Sequence, residues 1–364
     1  MKAAVCRAFG APLVIEELRL APPETGEVRV RVAACAICHS DIAFAEGAWG
    51  GTLPAVYGHE AAGVVKEVGP GVSSLRPGHR VVVSLLRSCG RCYFCARGEW
   101  HLCELEFPAD LKGRLHADNG EPVLQAMHTG AFAEEVVVDE SQVAVVPSSL
   151  SLDVASLLGC GVITGVGAVT DRAAVTEGSS VVVIGTGGVG LNTVQGAVLA
   201  GADEIVAVDT SPDKREVAVA FGATHTVDPA AGDIASQVRA LTGGRGADYV
   251  FVTVGRGDVI EQGLGCVRRG GMLVVLGMPP SGEAFNIVAV DLVHDDVRVL
   301  GSKIGSGSGR LADEVPRLVQ LHEEGRLKLE ELITARYSLE RINEAIAAAN
   351  DGAALRNVIV FDQE

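Results

Sequence analysis

The fold is decided by Val181-Val182-Val183-Ile184-Gly185-Thr186-Gly187-Gly188-Val189-Gly190. Four apolar β-formers run without a break, as in a strand buried on both faces of a parallel sheet. The glycines that follow fit G-x-G-x-x-G, and the Leu-, Val- and Ala-rich residues beyond Gly190 open a helix. In that setting Gly185 permits the tight turn, Gly187 lets the backbone approach a pyrophosphate, and Gly190 allows close helix–strand packing. Gly188 and Val189 complete a loop whose free N–H groups face the phosphates. The alternative is a glycine turn with no ligand. Asp209 ends the next apolar run. A carboxylate there accepts hydrogen bonds from the adenosine ribose and repels a 2′-phosphate, which favours NAD over NADP. The alternative role for Asp209 is to cap the helix entered at Ser211-Pro212. Lys214 either reaches the same ribose or is a solvated surface charge.

Outward from this stretch, similar apolar runs recur at 204–209, 249–254, 272–277 and 297–301, with a weaker one at 225–227. Helical patterns at 212–221 and 234–241 lie between them. Six strands alternating with helices make a doubly wound α/β fold with a parallel sheet. The N-terminal part has another texture, with short β segments at 27–33, 61–68, 80–84 and 133–138. Pro70-Gly71 and Pro77-Gly78 punctuate them, and the pattern is that of an antiparallel, barrel-like β domain with some helix. Residues 310–325 and 339–349 read as amphipathic helices and 357–361 as a final strand. A tail that returns to the first domain makes that domain discontinuous: 1–161 with 304–364, around a nucleotide-binding domain at 162–303.

At 364 residues the chain has room for two domains, and 48% hydrophobic against 21% charged residues makes it globular. Aromatics are only 4% while glycines number 45, a balance that suits Val/Ala strands and tight turns. The net charge of −16 argues against a nucleic-acid partner. The first 20 residues carry scattered charges and Pro12, unlike a signal peptide, so a cytoplasmic location is expected. Residues 179–202 carry no charge and are long enough for a membrane span. Their glycines, with Asn192 and Gln195, fit a strand, a glycine loop and a helix better.

Nine cysteines, an odd number with four clustered, read as metal ligation before disulfides. Cys89, Cys92, Cys95 and Cys103 form C-x2-C-x2-C-x7-C. Four thiols so spaced can wrap a tetrahedral zinc and leave no open position, so the site is structural. Disulfides or an iron–sulfur cluster are the alternatives.

Cys38-His39-Ser40-Asp41 and Gly58-His59-Glu60 are modest on their own. With the four-cysteine loop and the nucleotide fold, they make the chain resemble the zinc-dependent alcohol dehydrogenases of the medium-chain dehydrogenase/reductase superfamily, nearly end to end. The most specific piece is Gly58-His59-Glu60-Ala61-Ala62-Gly63 with Gly69 and Val72. Gly159-Cys160-Gly161 and Leu355-Arg356-Asn357 follow in the family's order. The resemblance implies a GroES-like catalytic domain beside a Rossmann domain, NAD as coenzyme, and two zinc ions per chain. It assigns the catalytic zinc to Cys38, His59 and Cys160, leaving a fourth position for water or alcohol. An alkoxide formed there near neutral pH would pass hydride to the nicotinamide. Read without the resemblance, Cys160 is a buried structural thiol.

By the same resemblance Glu60 is a labile fourth ligand and Asp41 orients His59. Ser40 touches the substrate oxygen and starts proton release. Many relatives finish that relay with a His where this chain has Ala43, so the proton must leave by another route. His39 and Arg356 match pyrophosphate contacts, Thr164 and Val189 pack on the nicotinamide, and Arg256 reaches the nicotinamide-side ribose. Trp49, Leu85, Phe132 and Met278 match pocket positions, an apolar lining for a medium or bulky uncharged alcohol; each reads equally well as core packing. Two other readings stand beside alcohol oxidation. One is a thiol-adduct formaldehyde dehydrogenase using glutathione or mycothiol. It is favoured by the long segment between Cys103 and Phe132, but Phe107 stands where glutathione-dependent members carry Arg. The other is a zinc- and dinucleotide-binding sensor without turnover. The long segment also resembles that of dimeric members, so a homodimer is expected, with a small alcohol or aldehyde as the only other partner.

Overall fold

The computed structural model describes residues 1–307, 309–352 and 354–362. The chain forms two compact units, Met1–Ile163 with Gly309–Glu364, and Thr164–Ser308. The first unit begins with β1 (Lys2–Cys6), β2 (Val14–Leu20), β3 (Glu27–Ala36), β4 (Ala55–Val56) and β5 (Glu60–Val68). It continues with β6 (Arg80–Ser84), β7 (Leu115–Ala117), β8 (Pro122–Gln125), β9 (Glu135–Asp139) and β10 (Val143–Val145). The second unit holds β11 (Ser180–Ile184), β12 (Glu204–Val208), β13 (His225–Val227), β14 (Ala247–Val252), β15 (Val267–Val275) and β16 (Arg298–Gly301). The chain then returns to the first unit with β17 (Ile333–Tyr337) and β18 (Arg356–Val360).

In the first unit β1, β2, β7, β8 and β4 close a small barrel, and a second sheet runs β10-β6-β5-β3-β18-β17 with β9 also on β3. β3 is the hub. β5 pairs with it along nearly its whole length, β9 pairs with its first half, and β18 with its last three residues. Its residues Val28, Val30 and Val32 are all but fully buried, against Val65, Val81, Val83 and Val136 of its neighbours. Small β-branched side chains fill this core, which is why so few aromatics suffice; Phe132, 1% exposed, is the largest side chain fully inside.

The segment between Cys103 and Phe132, expected as a long loop, is largely ordered structure. It holds the helix Pro108–Lys112 and the hairpin β7–β8, whose Leu115↔Val123 and His116↔Pro122 register closes the barrel. Arg114 ties it down. Its guanidinium meets the Glu27 carboxylate at 2.7 and 3.1 Å, with both side chains buried. A buried pair of this kind costs about 3–5 kcal/mol to break on one side, because the other charge is then left without a partner.

In the second unit all six strands are parallel, in the order β13-β12-β11-β14-β15-β16. This is the doubly wound order, with its reversal between β11 and β14, where such sheets bind ligands beyond their carboxyl ends. The uncharged stretch 179–202 resolves into β11, a glycine turn and the helix Gly188–Leu199. No single helix among the described residues is long and apolar enough to cross a membrane. β15 starts at Val267, earlier than its apolar pattern suggests, because it includes Gly270 at φ +70 and its neighbour Gly271.

Candidate active site

Cys38 ends the approach from β3 and precedes the helix His39–Ala45; His59 and Glu60 sit where β5 begins. Cys160 lies in the break between the 3-10 turn Leu157–Gly159 and the helix Gly161–Gly167. These separate pieces bring one ligand atom each from Cys38, His59, Glu60 and Cys160 within 4.8 Å of one another, all four residues buried. The flanking glycines are required by packing. A Cβ on Gly161 would lie 2.4 Å from Arg356 Nη2, and one on Gly159 would lie 2.9 Å from the Val83 carbonyl oxygen.

Asp41 organises the cluster. One oxygen accepts the Cys38 N–H at 3.0 Å, which caps the helix start; the other accepts the Gly58 N–H and the His59 Nδ1–H, both at 2.9 Å. In the neutral ring that bond keeps the proton on Nδ1 and leaves the lone pair on Nε2. Nε2 is fully buried and has no hydrogen-bond partner, and neither Glu60 oxygen has one either. Arg356 Nη2 is 3.4 Å from Glu60 Oε1, both side chains buried. Burial pushes the Glu60 carboxyl up to about 7 against the pull of Arg356. Cys38 is held well below the usual thiol range, first by the hydrogen bond from Cys160; that bond and burial push Cys160 well above it. Burial pulls His59 down, but Asp41 outweighs it and the ring sits well above the ordinary range. A buried imidazole lone pair aimed among two sulfurs is a donor set that suits zinc.

The four-cysteine loop makes a second cluster, with its sulfurs within 4.8 Å of one another. Cys89 and Cys95 Sγ are 4.0 Å apart, as are Cys92 and Cys103 Sγ. That is close to the edge of a zinc–thiolate tetrahedron, about 3.8 Å for Zn–S bonds near 2.3 Å, and far too long for a disulfide. None of the nine cysteines is in a disulfide. Backbone N–H groups of Cys92, Cys95 and Cys89 point at the sulfurs of Cys89, Cys92 and Cys103 at 3.3–3.5 Å. The Cys95 N–H is the first cause that draws the Cys92 thiol down to about 6.

In the second unit Gly185 has φ +90, and a Cβ there would press on Val254 and Thr253 at 2.5 and 2.7 Å. A Cβ on Gly190 would fall 1.9 Å from the Gly185 carbonyl oxygen, while nothing stands within 4 Å of Gly187. The loop is thus tight where it packs and open where a ligand's phosphates would lie. Asp209 faces it. Its Oδ2 accepts the Thr186 N–H at 2.8 Å and the Thr186 hydroxyl at 3.1 Å; its Oδ1 accepts the Ser211 N–H at 2.9 Å. The helix Pro212–Ala220 is capped by Ser211, whose Oγ accepts from Lys214 N–H, so Asp209 is not its cap. Lys214 is half-buried.

The remaining candidates lie on several elements of the two units. Ser40 is half-buried and His39 exposed at the start of their helix, with Ala43 one turn on. Trp49 packs edge-on against Phe44 at 4.8 Å and Leu85 is half-buried, but Phe132 belongs to the core. In the second unit Thr164 and Val189 are half-buried, Met278 is 61% exposed, and Arg256 lies at the surface in a bidentate pair with Asp258. Sequence reading missed Thr186 and Gly58. Gly58 had a signal, because a glycine before a ligand His suits its φ of +96, and a Cβ there would lie 2.6 Å from the Phe132 backbone nitrogen. Thr186 had none, since its partner depends on where β12 ends beside β11.

Residues 24–148 match the alcohol dehydrogenase GroES-like domain, and residues 188–324 match the zinc-binding dehydrogenase family. The NDMA-dependent alcohol dehydrogenase of Amycolatopsis methanolica is 36% identical over 372 residues, covering 100% of this chain and 99% of that one. The S-(hydroxymethyl)glutathione dehydrogenase of Paracoccus denitrificans is 35% identical over 375 residues, 99% of each. The benzyl alcohol dehydrogenase of Acinetobacter calcoaceticus superposes with a TM-score of 0.91 at 29% identity, covering 99% of each chain.

Proposed function

The chain belongs to the zinc-dependent alcohol dehydrogenase family, and on that premise we propose that it moves hydride between an alcohol and NAD, with Cys38, His59 and Cys160 holding the catalytic zinc. The observation that carries this reading is the buried cluster of two sulfurs, a carboxylate and an imidazole nitrogen that has no protein partner. When bound, zinc supplies Lewis acidity that makes an alcohol's hydroxyl proton easier to lose near neutral pH. The residues of the chain do the rest. Asp41 holds the His59 ring in its metal-ready tautomer and orientation. Ser40 accepts the hydrogen bond of the alcohol's hydroxyl and passes its own proton on to water or a coenzyme ribose hydroxyl, because Ala43, one turn later, offers no side chain to receive it. Glu60, beside Arg356, is a spare carboxylate at the edge of the donor set. The loop from Gly185 to Gly190 takes the pyrophosphate and Asp209 the adenosine ribose. Cys89, Cys92, Cys95 and Cys103 hold a second, structural zinc.

The test is the initial rate of NADH formation by the zinc-loaded protein on short, long, aromatic and secondary alcohols. Cys38→Ala should abolish turnover and leave NADH binding intact. Full activity in metal-stripped protein would overturn the assignment. Parallel arms with NADP and with NDMA identify the hydride acceptor, a choice raised by the Amycolatopsis relative.

The Paracoccus relative favours a second reading, oxidation of a glutathione–formaldehyde adduct. Against it, the Arg87 guanidinium lies 4.4 Å over the Phe107 ring and spends its N–H groups on Asp110 at 2.6 and 2.9 Å. No gain in rate from glutathione or mycothiol with formaldehyde would remove this reading.

A further inference from the structure

The carboxylate that faces the dinucleotide loop is held from several sides. Two of its three donors come from one residue of the loop, Thr186, and both go to the same oxygen. The third, the Ser211 N–H, goes to Oδ1. The backbone behind it is fixed as well. Arg215 Nη1 donates to the Asp209 carbonyl at 2.6 Å and the Thr210 carbonyl at 3.1 Å, and Nη2 reaches Asp228 Oδ2 at 3.0 Å. Gly185 N–H donates to the Val208 carbonyl at 2.8 Å, which locks the loop to the end of β12. Thr186 is fully buried. A carboxylate has about four acceptor positions, and three donors already take most of them, with Oδ1 the less occupied oxygen.

We propose that Thr186 is a positioning residue that sets coenzyme choice by pinning Asp209. This rests on the reading that Asp209 meets the adenosine ribose. A free Asp could swing away to admit a 2′-phosphate. Here, swinging away breaks two hydrogen bonds to a charged acceptor and leaves the buried Thr186 hydroxyl only the Lys214 carbonyl, a long contact at 3.5 Å. The pinned carboxylate therefore presents Oδ1 to a ribose hydroxyl and holds its negative charge against a 2′-phosphate. Discrimination comes from fixed position as well as from charge.

The experiment measures kcat and KM for NAD and NADP on the zinc-loaded enzyme with one alcohol, for wild type, Thr186→Val and Thr186→Ser. Thr186→Val keeps the shape and the N–H but loses the hydroxyl. It should narrow the NAD-to-NADP ratio of kcat/KM by about tenfold, the scale of one hydrogen bond to a charged group. The loss should fall mainly on KM for NAD, and Thr186→Ser should restore the ratio. Asp209→Glu is the second probe, and the one to use if Thr186→Val does not fold. It keeps the charge but sets it one methylene further out, off the Thr186 donors, so its ratio should narrow too. A ratio within twofold of wild type in both Thr186→Val and Asp209→Glu would overturn the proposal. A wild-type enzyme that prefers NADP would instead overturn the reading of Asp209 beneath it, and the two failures are told apart by the wild-type measurement alone.

Discussion

Asp41 shows how much one carboxylate can settle. At the third position of a short helix it would cap the helix in any protein. Here the same group also holds the Gly58 N–H and the His59 ring, so helix start, strand entry and ligand orientation depend on one side chain. Asp41→Asn keeps the size but gives one face of the group a donor, which must then confront an N–H. Loss of such a partner behind a ligand His lowers metal affinity or activity by about 10–100-fold. Zinc per chain after dialysis, read beside kcat/KM, checks this; wild-type values in both would mean that His59 is held by something else. Cys38, His59 and Cys160 could be picked out because they stand at the spacing of the family they resemble, and the structure gathers them within 4.8 Å. The reasons for their neighbours were not: Gly161 is a glycine because Arg356 occupies its side-chain space, a contact between residues far apart in the chain that no local pattern encodes.

At the scale of elements, β9 is fastened to its neighbours by charge. Glu135 of β9 accepts Arg29 Nε of β3 at 2.6 Å and also meets Lys66 of β5, so one carboxylate is clasped by cations from two strands. Burial pushes the Glu135 carboxyl up, but Lys66 and Arg29 outweigh it, and it lies below the usual carboxylate range. A carboxyl lowered in the folded state contributes stability above its unfolded value of about 4.3, and that stability is lost as pH falls through the folded value. Glu135→Gln should therefore lower the melting temperature near pH 7, while below about pH 4 the gap to wild type should shrink. Melting curves across that range check it, and a gap independent of pH would assign the effect to packing. Elements with long apolar runs, such as β11 and β12, were legible to within a residue or so. The hairpin β7–β8 was not, because strands of three and four residues carry too little periodicity. Its signal was Asn119-Gly120, a turn dipeptide whose Gly120 has φ +87.

On the scale of the whole molecule, the second unit has an unpaired sheet edge and three exposed valines. β16 ends its sheet with no strand on its outer side among the described residues. Beside it in sequence, Val288, Val290 and Val293 are 60, 69 and 80% exposed. Both an unpaired edge and exposed valines are surfaces that association would cover. We propose a homodimer. Light scattering should give about 75 kDa, twice the 37.6 kDa of the chain, and a mass of one or four chains would contradict it. The pairing of a barrel-like β unit with a Rossmann unit was legible because the Rossmann pattern is interrupted by nothing; in the structure the chain then returns to β3 through β18. That return has a consequence for biosynthesis. β3 is translated long before β18, so part of its edge waits for that strand, and the buried Glu60 carboxylate waits for Arg356. Most of the chain is translated between the two. The nascent first unit therefore carries an open sheet edge until β18 emerges. A chain cut short before β18 would already carry Cys38, the four-cysteine loop and Cys160 but lack the strand that completes the edge of β3.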